Sequence, residues 1–360
     1  MKMIVKIAPT DETVRKSGLT DYLFHNEHIM YTEVLPRLVS LQKAAGVPEE
    51  EHLRYAKCYG SLNEAPNEVI ILEDLKESGH IMLDKYEPLQ HDAILNGTKS
   101  FAIFHSLSHV LKNKEPETFN ELGSKLRHAW DLMCSSPEYI KSFAGLDDAV
   151  QSIVEDETHK KVVKNRISNM FKITAKLAKE ENTKYSVIQH GDSWTNNILF
   201  KHVDSRVGPA VMIDYQASRK NNPMMDLLYF IFLCTDYETR SKHFYNWLDY
   251  YHSEFDKSLS YFGLRANDIY PRDQLDADVK KYGELVFSIA LMASNLTERD
   301  VNETKELINN MEHSGIGELM ATMGSTRMTG ETLKRAKNRI EGLIATYTDF
   351  GMLDHFENFD

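Results

Sequence analysis

The residues best suited to chemistry fall in one stretch, His190-Gly191-Asp192-Ser193-Trp194-Thr195-Asn196-Asn197, which runs into Ile198-Leu199-Phe200. Fourteen residues after Asn197 begins Val211-Met212-Ile213-Asp214-Tyr215-Gln216. Short apolar runs flank polar positions, so the spacing predicts an Asp and an Asn on a loop between two short strands, with a second Asp at the exit of a third. Phosphoryl transfer asks for a carboxylate near the attacking hydroxyl and for oxygen ligands that hold magnesium against nucleotide phosphates. Asp192 suits the first role; Asn197 and Asp214 suit the second. Lys6 and Glu27 complete the set, a lysine to neutralise phosphate charge and a helix carboxylate to position it. The H-x-D triplet with Asn five residues after the Asp would arise by chance about once per hundred chains of this size. The order of the parts along the chain carries more weight than the triplet.

These groups need elements to hold them. Residues 2–9 read as a strand with Lys6 near its centre and a stop at Pro9. Asp21 is the expected N-cap of a helix on which Leu23, Phe24, Met30, Tyr31, Val34, Leu35 and Leu38 recur at helical spacing. Glu27 falls on that apolar face, where an unpaired carboxylate is costly, so a cation should meet it. Residues 54–60 and 67–73 read as a hairpin around a polar turn, Asn63 to Asn67. From about residue 90 the pattern is helical, interrupted around 187–216. The plan is a small strand-rich lobe, 1–76, and a large helical lobe, 77–360, with a small sheet at the junction.

Composition limits the partners. The chain has 360 residues, 42% of them apolar and 27% charged, with a net charge of −12. That is globular usage and excludes a disordered chain. The acidic balance argues against nucleic acid. Cys58, Cys134 and Cys234 show no zinc spacing and no disulfide framework, which fits a reducing compartment. The apolar runs Leu227 to Cys234 and Leu285 to Leu296 are shorter than the roughly 20 residues a bilayer needs, and the first residues lack a signal-peptide pattern. The chain reads as soluble and cytoplasmic. Glu49-Glu50-Glu51 reads as a solvated face. The aromatic run between Leu227 and Phe262 reads chiefly as core, with an aromatic-lined pocket for an apolar alcohol as its functional alternative. His105 and His109 read as packing or capping residues, and His190 as a brace of the backbone.

Three segments, Ile70 to Leu75, His190 to Asn197 and Ile213 to Gln216, resemble the ecdysteroid kinase-like (CHK kinase-like) family, a relative of choline kinases and aminoglycoside phosphotransferases. Phe24 to Pro36 and Phe101 to Ser108 fit the same pattern, and the resemblance is strong from residue 4 to about 235. The Trp in the HGDSWTNN segment separates this branch from choline kinases. The resemblance implies an α+β, two-lobed protein-kinase-like fold and an ATP- and Mg²⁺-dependent transfer to a hydroxyl of a small molecule, an ecdysteroid or another hydrophobic alcohol. It implies Asp192 as catalytic base, Asn197 and Asp214 as magnesium ligands, and Lys6 on the phosphates, paired with Glu27. It also implies Glu73, Asp74 and Leu75 as the hinge whose backbone binds adenine, and Asp226 as a brace of the catalytic loop.

One departure bears on activity. In the family two strands and a phosphate-covering loop should precede the lysine strand, whereas five residues precede Lys6 here. Without that cover the phosphate site would be wet and the edge of the small sheet exposed. Two rival readings therefore stand beside the phosphotransferase: a catalytically impaired pseudokinase or ligand-binding module, and a choline- or aminoglycoside-type kinase drawn to a cationic acceptor.

Overall fold

The computed structural model describes residues 2–129, 132, 137–178, 183–203, 206–309 and 316–356; Cys134 lies outside them. Strand β1 (Met3–Ile7) is followed by helices α1 (Glu12–Ser17) and α2 (Thr20–Ile29). A wide π-type turn, Met30–Val34, leads into α3 (Leu35–Ala44). Then come β2 (Cys58–Leu62), β3 (Val69–Glu73) and β4 (His80–Met82). The first sheet has the order β1-β3-β2, all antiparallel, with Lys6 opposite Ile70. β1 is therefore an edge strand, and Met3, Ile4, Val5 and Ile7 are exposed.

The helical part opens with α4 (His91–Lys114) and α5 (Pro116–Lys125), then α6 (Pro137–Ile153), α7 (Glu157–Val163) and α8 (Arg166–Ala178). It is interrupted by β5 (Val187–Gln189), β6 (Ile198–Val203), β7 (Arg206–Met212) and β8 (Arg219–Asn221). These strands form two small sheets, β4-β6-β7 and β5-β8. The chain continues through α9 (Pro223–Cys234), α10 (Tyr237–Ser260), α11 (Ala266–Ile269), α12 (Arg272–Thr297), α13 (Val301–Asn309), α14 (Ile316–Ser325) and α15 (Gly330–Asp349). The α+β class is as expected, while the one small sheet expected around residues 187–216 is two, because Val187–Gln189 pairs with Arg219–Asn221 and not with β6 or β7.

Helix α9 explains much of the packing. Its sequence, PMMDLLYFIFLC, is apolar all round apart from Asp226 and Tyr229, and such a helix can only be buried. It crosses α4 at Gly97, where a Cβ would come within 2.4 Å of the Phe230 ring. Phe230 is fully buried, and truncating it to Ala would cost about 3–5 kcal/mol.

Two local expectations are corrected and a third, the reading of the aromatic run, is met. Asp21 does not cap α2: the cap position is Leu19, in a left-handed conformation with φ 53°, and Asp21 sits in the first turn. Asp11 does the capping, one helix earlier, by accepting from the Val14 amide at 2.9 Å. Asp21 instead pairs with Arg15, whose guanidinium also holds buried Glu68 at 2.8 Å. The Glu49–Glu51 turn is not simply solvated, because Glu51 bridges Lys99 at 3.0 Å and Lys257 at 2.7 Å. The aromatic run is core: Phe230, Phe232, Phe244, Trp247, Tyr251 and Phe255 are buried, while Tyr237 and Tyr245 are exposed.

Candidate functional site

The cation that Glu27 requires is Lys6. Its ammonium donates to both Glu27 carboxylate oxygens, at 2.7 and 2.8 Å, and to Asp214 Oδ1 at 2.7 Å. β1 supplies the lysine, the inward face of α2 the glutamate, and the exit of β7 the aspartate. Burial works against the lysine's charge, but Glu27 and Asp214 overcome it and hold Lys6 above its ordinary value. Burial pushes Glu27 up to about 7, against the pull of Lys6 and with some help from Asp214. Asp214 takes a left-handed conformation, φ 65°, which turns its side chain back toward Lys6.

Asn26 fixes α2 against the site. Its amide donates to the carbonyls of Arg127 (2.8 Å), Gln216 (3.1 Å) and Ser218 (3.3 Å), and its oxygen accepts from the Arg127 amide at 2.7 Å. Sequence reasoning passed over it. The available signal was a buried-face Asn beside Glu27 in a helix interior, where an amide side chain is unfavourable unless it has partners.

The loop between β5 and β6 is held from beneath by Asp226 of α9. Its carboxylate accepts from the amides of His190 (2.7 Å) and Gly191 (2.8 Å), and its backbone carbonyl accepts from Ser193 Oγ at 2.9 Å. His105 Nε2 lies 3.1 Å from the same carboxylate, and His105 Nδ1 lies 2.9 Å from the Tyr251 hydroxyl. Burial alone would raise Asp226; the His105 contact, the nearby His190 and the Gly191 amide bring it below the ordinary range. Gly191 must be glycine, with φ 85° and the Ala217 carbonyl 2.2 Å from where a Cβ would lie. His190 donates from Nε2 to the Ile213 carbonyl at 2.8 Å and accepts at Nδ1 from the Asp192 amide at 3.2 Å, so both ring nitrogens brace backbone.

Asp192 stands on this platform with both carboxylate oxygens engaged. Asn197 Nδ2 donates to Oδ2 at 2.8 Å and to the Asp192 carbonyl at 2.9 Å. The Tyr229 hydroxyl donates to Oδ1 at 3.1 Å. Burial raises Asp192, as does the nearby Asp214, while His190, Tyr229 and Asn197 oppose the rise. Tyr229 was legible only as one aromatic among many, although its place three residues after Asp226 puts both on one helix face.

Asp192 borders a cavity of about 190 Å³. Its walls are largely apolar, with Leu23, Met225, Ile289 and Met292 among them, and Tyr229 is the one aromatic lining residue among the described residues. Among the described residues the one cation in the lining is Arg219, which is buried and donates from Nη1 to the Ala217 carbonyl at 3.3 Å. The Gln189 amide, turned with its oxygen inward, accepts from Arg219 Nε at 3.2 Å and Nη2 at 3.1 Å.

Lys6, Glu27, Asp214, Asp192 and Asn197 are thus brought into one neighbourhood. Glu73, Asp74 and Leu75 are not in hydrogen-bond contact with them. They link β3 to β4, Asp74 capping the Leu75–Ser78 turn through the Lys76 amide at 3.1 Å and Leu75 lying in the core. As a magnesium site, Asn197 and Asp214 fit by donor type. With its NH₂ given to Asp192, Asn197 keeps its carbonyl oxygen for a cation, and Asp214 adds a carboxylate, a pair typical of a hard ion that takes its remaining ligands from phosphate and water. Among the described residues no group of three or more His, Cys, Asp or Glu could hold a metal, and no helix is long and apolar enough to cross a membrane.

No curated protein matches the chain. Among solved structures it is similar to an ethanolamine kinase of Plasmodium vivax, at 13% identity over 95% of this chain and 75% of that one, with a TM-score of 0.40. It is also similar to a candidate aminoglycoside phosphotransferase of Ralstonia eutropha, at 13% identity over 88% and 84% of the two chains, with a TM-score of 0.42. Residues 1–264 match the sequence model of the ecdysteroid kinase-like family, a span that includes β1, α2, Glu73 to Leu75, the Asp192 loop and Asp214. The fold is accordingly the α+β, two-lobed kinase-like one expected from the sequence. With nearly three quarters of its length matched, the chain belongs to the ecdysteroid kinase-like family.

Proposed function

We propose that the chain is an ATP- and Mg²⁺-dependent phosphotransferase acting on a hydroxyl of a small, neutral, largely apolar alcohol, an ecdysteroid or a similar molecule. The observation that carries this reading is Asp192, half-buried and held on both oxygens, at the border of a largely apolar cavity. In this reading residues 1–76 form the nucleotide side and 77–360 the acceptor side. The backbone of Glu73 to Leu75 receives adenine, and the setting is cytoplasmic; Cys58 and Cys234 are free thiols.

When bound, MgATP supplies the transferable phosphoryl group and the metal offsets charge on its oxygens. Asn197 and Asp214 would hold the metal. Lys6 carries the positive charge for the phosphates, and Glu27 keeps it aimed. Asp192 orients the acceptor hydroxyl and takes its proton as the oxygen attacks. Asn197 and Tyr229 keep the carboxylate from rotating, which is positioning of the kind that lowers a barrier without new bonds. The apolar walls exclude water from the reacting hydroxyl.

The cavity lining favours a neutral acceptor over a cationic one. Among the described residues its cation is Arg219, and of its two carboxylates Asp226 is fully engaged by the loop amides. A quaternary amine would meet a guanidinium and few free acceptors. Comparing ATP consumption with a neutral sterol and with choline separates the two acceptor classes.

Calorimetric titration with ATP, with and without Mg²⁺ and with Asp214→Ala as control, tests the reading. Magnesium-dependent binding that is lost in the variant is the expected result. No binding at millimolar ATP would overturn it and leave a pseudokinase or ligand-binding module.

A further inference from the structure

A second cavity, of about 240 Å³, shares no lining residue with the one at Asp192. It lies where α9 ends, α10 begins and α15 crosses them. Three arginines line it, Arg240, Arg335 and Arg339, against two carboxylates, Asp236 and Glu298. This is a local cationic excess in a chain whose net charge is −12.

Both carboxylates are already engaged. Asp236 caps α10, accepting from the Thr239 amide at 2.8 Å and hydroxyl at 2.6 Å. Glu298 is buried and pairs with Arg339 Nε at 2.6 Å and Arg335 Nε at 3.5 Å. Nothing acidic remains for Arg240, which is 1% exposed. Its guanidinium donates only to neutral oxygens: the Thr235 carbonyl and hydroxyl, Thr346 Oγ1 at 2.9 Å and the Gly342 carbonyl at 3.0 Å. Among the described residues it has no ion-pair partner. Burial and the neighbouring Arg339 bring it down to about 9, an effect that Asp236 opposes only in part.

The other two arginines are set in place with donors to spare. Arg335 stacks over the Tyr86 ring at 4.3 Å and spends Nη2 on the Glu298 carbonyl at 2.6 Å. Arg339 spends Nη1 on the Leu233 carbonyl. Arg335 Nη1 and Arg339 Nη2 have no protein partner among the described residues. Lys85, anchored on the Thr297 carbonyl at 2.7 Å, adds positive charge to the same neighbourhood. Fixed guanidinium forks beside an uncompensated buried charge match a tetrahedral oxyanion.

We propose that this cavity binds a small phosphate-bearing anion, gripped by Arg335 and Arg339 and balancing the charge of Arg240. The site is independent of the phosphotransferase reading. It stands next to the carbonyls of Leu233 and Thr235 at the end of α9, the helix that carries Asp226 in its first turns and Tyr229 at its middle.

The test is calorimetry with inorganic phosphate at constant ionic strength, repeated with glycerol 3-phosphate and with acetate. Arg335→Ala removes a donor. Asn338→Asp places a carboxylate on the exposed lip of the cavity and leaves the core untouched, so it carries the test if the first variant folds poorly. The expected result is phosphate binding that each variant weakens about tenfold and that Lys6→Ala leaves in place. Tighter binding of the ester names a phosphorylated metabolite as ligand; tighter binding of inorganic phosphate names the free ion. Absence of binding, indifference to both variants, loss in Lys6→Ala, or equal binding of acetate would each overturn the proposal.

Discussion

Lys6 and Asp214 stand 208 positions apart in the chain and meet at 2.7 Å. The same ammonium satisfies Glu27, so one lysine on an edge strand neutralises two carboxylates from two other parts of the fold. Removing it strands a buried charge. Lys6→Met should cost about 2 kcal/mol in urea unfolding and abolish ATP binding. Adding Glu27→Gln should restore much of the stability and none of the binding. If Lys6→Met unfolds like the parent chain, the pair does not hold the strand to the helix.

Asp192→Asn preserves shape and removes the base. Turnover should fall by about 10²–10⁴-fold, while nucleotide binding by calorimetry stays close to that of the parent chain. Retained turnover would remove Asp192 from its proposed role.

Tyr229→Phe deletes one hydrogen bond to Asp192. That bond stabilises the ionised carboxylate, together with Asn197 and the nearby His190 and against Asp214 and burial. Losing it must raise Asp192 further. The base is active when deprotonated, so the acid limb of the kcat–pH profile should move to higher pH, with KM for ATP unchanged. An unmoved limb would mean that Tyr229 is only part of the wall.

His109 should shape acid stability. It is fully buried, its Nε2 has no hydrogen-bond partner, and burial, with Lys112 and His105 nearby, brings it down to about 3. The unfolded chain binds this proton from about pH 6.5 downward, whereas the folded chain does not. Its contribution is whole above about 6.5 and is lost as pH falls toward 3, with a slope approaching 1.4 kcal/mol per pH unit. His109→Phe should flatten that slope in unfolding measured between pH 6 and 4. His128, also brought down to about 3, would supply what remains.

What could be read in advance follows from locality. Glu27 on an apolar helix face demanded a cation, and the pattern around Lys6 offered one, so that contact was legible from cost alone. The strand–loop–strand form around Asp192 and the exit position of Asp214 were legible from short apolar runs. Asp21 was misread because the small helix ahead of it, Glu12–Ser17, has little apolar periodicity, and because Arg15 offers Asp21 a partner no spacing rule reveals. The cavity beside Asp192 draws Leu23, Gln189, Arg219, Tyr229 and Ile289 from segments far apart in the chain, and no local pattern announces such a convergence.

The wide turn at Met30–Val34 has a consequence for how the helix from Thr20 to Ala44 serves two neighbours. The Leu35 amide reaches back to the Met30 carbonyl, one residue farther than an ordinary helix allows, and Pro36, which has no amide to give, follows at once. The extra residue acts as a phase shift. It lets the first half aim Glu27 at Lys6 while the second half aims Leu38 and Leu41 at the core. Deleting any one residue of the turn would bring the two halves back into step and swing Glu27 by about 100° around the helix axis. The distance between an engaged and an idle Lys6 is thus a single codon, at a place where no side chain touches the site's ammonium.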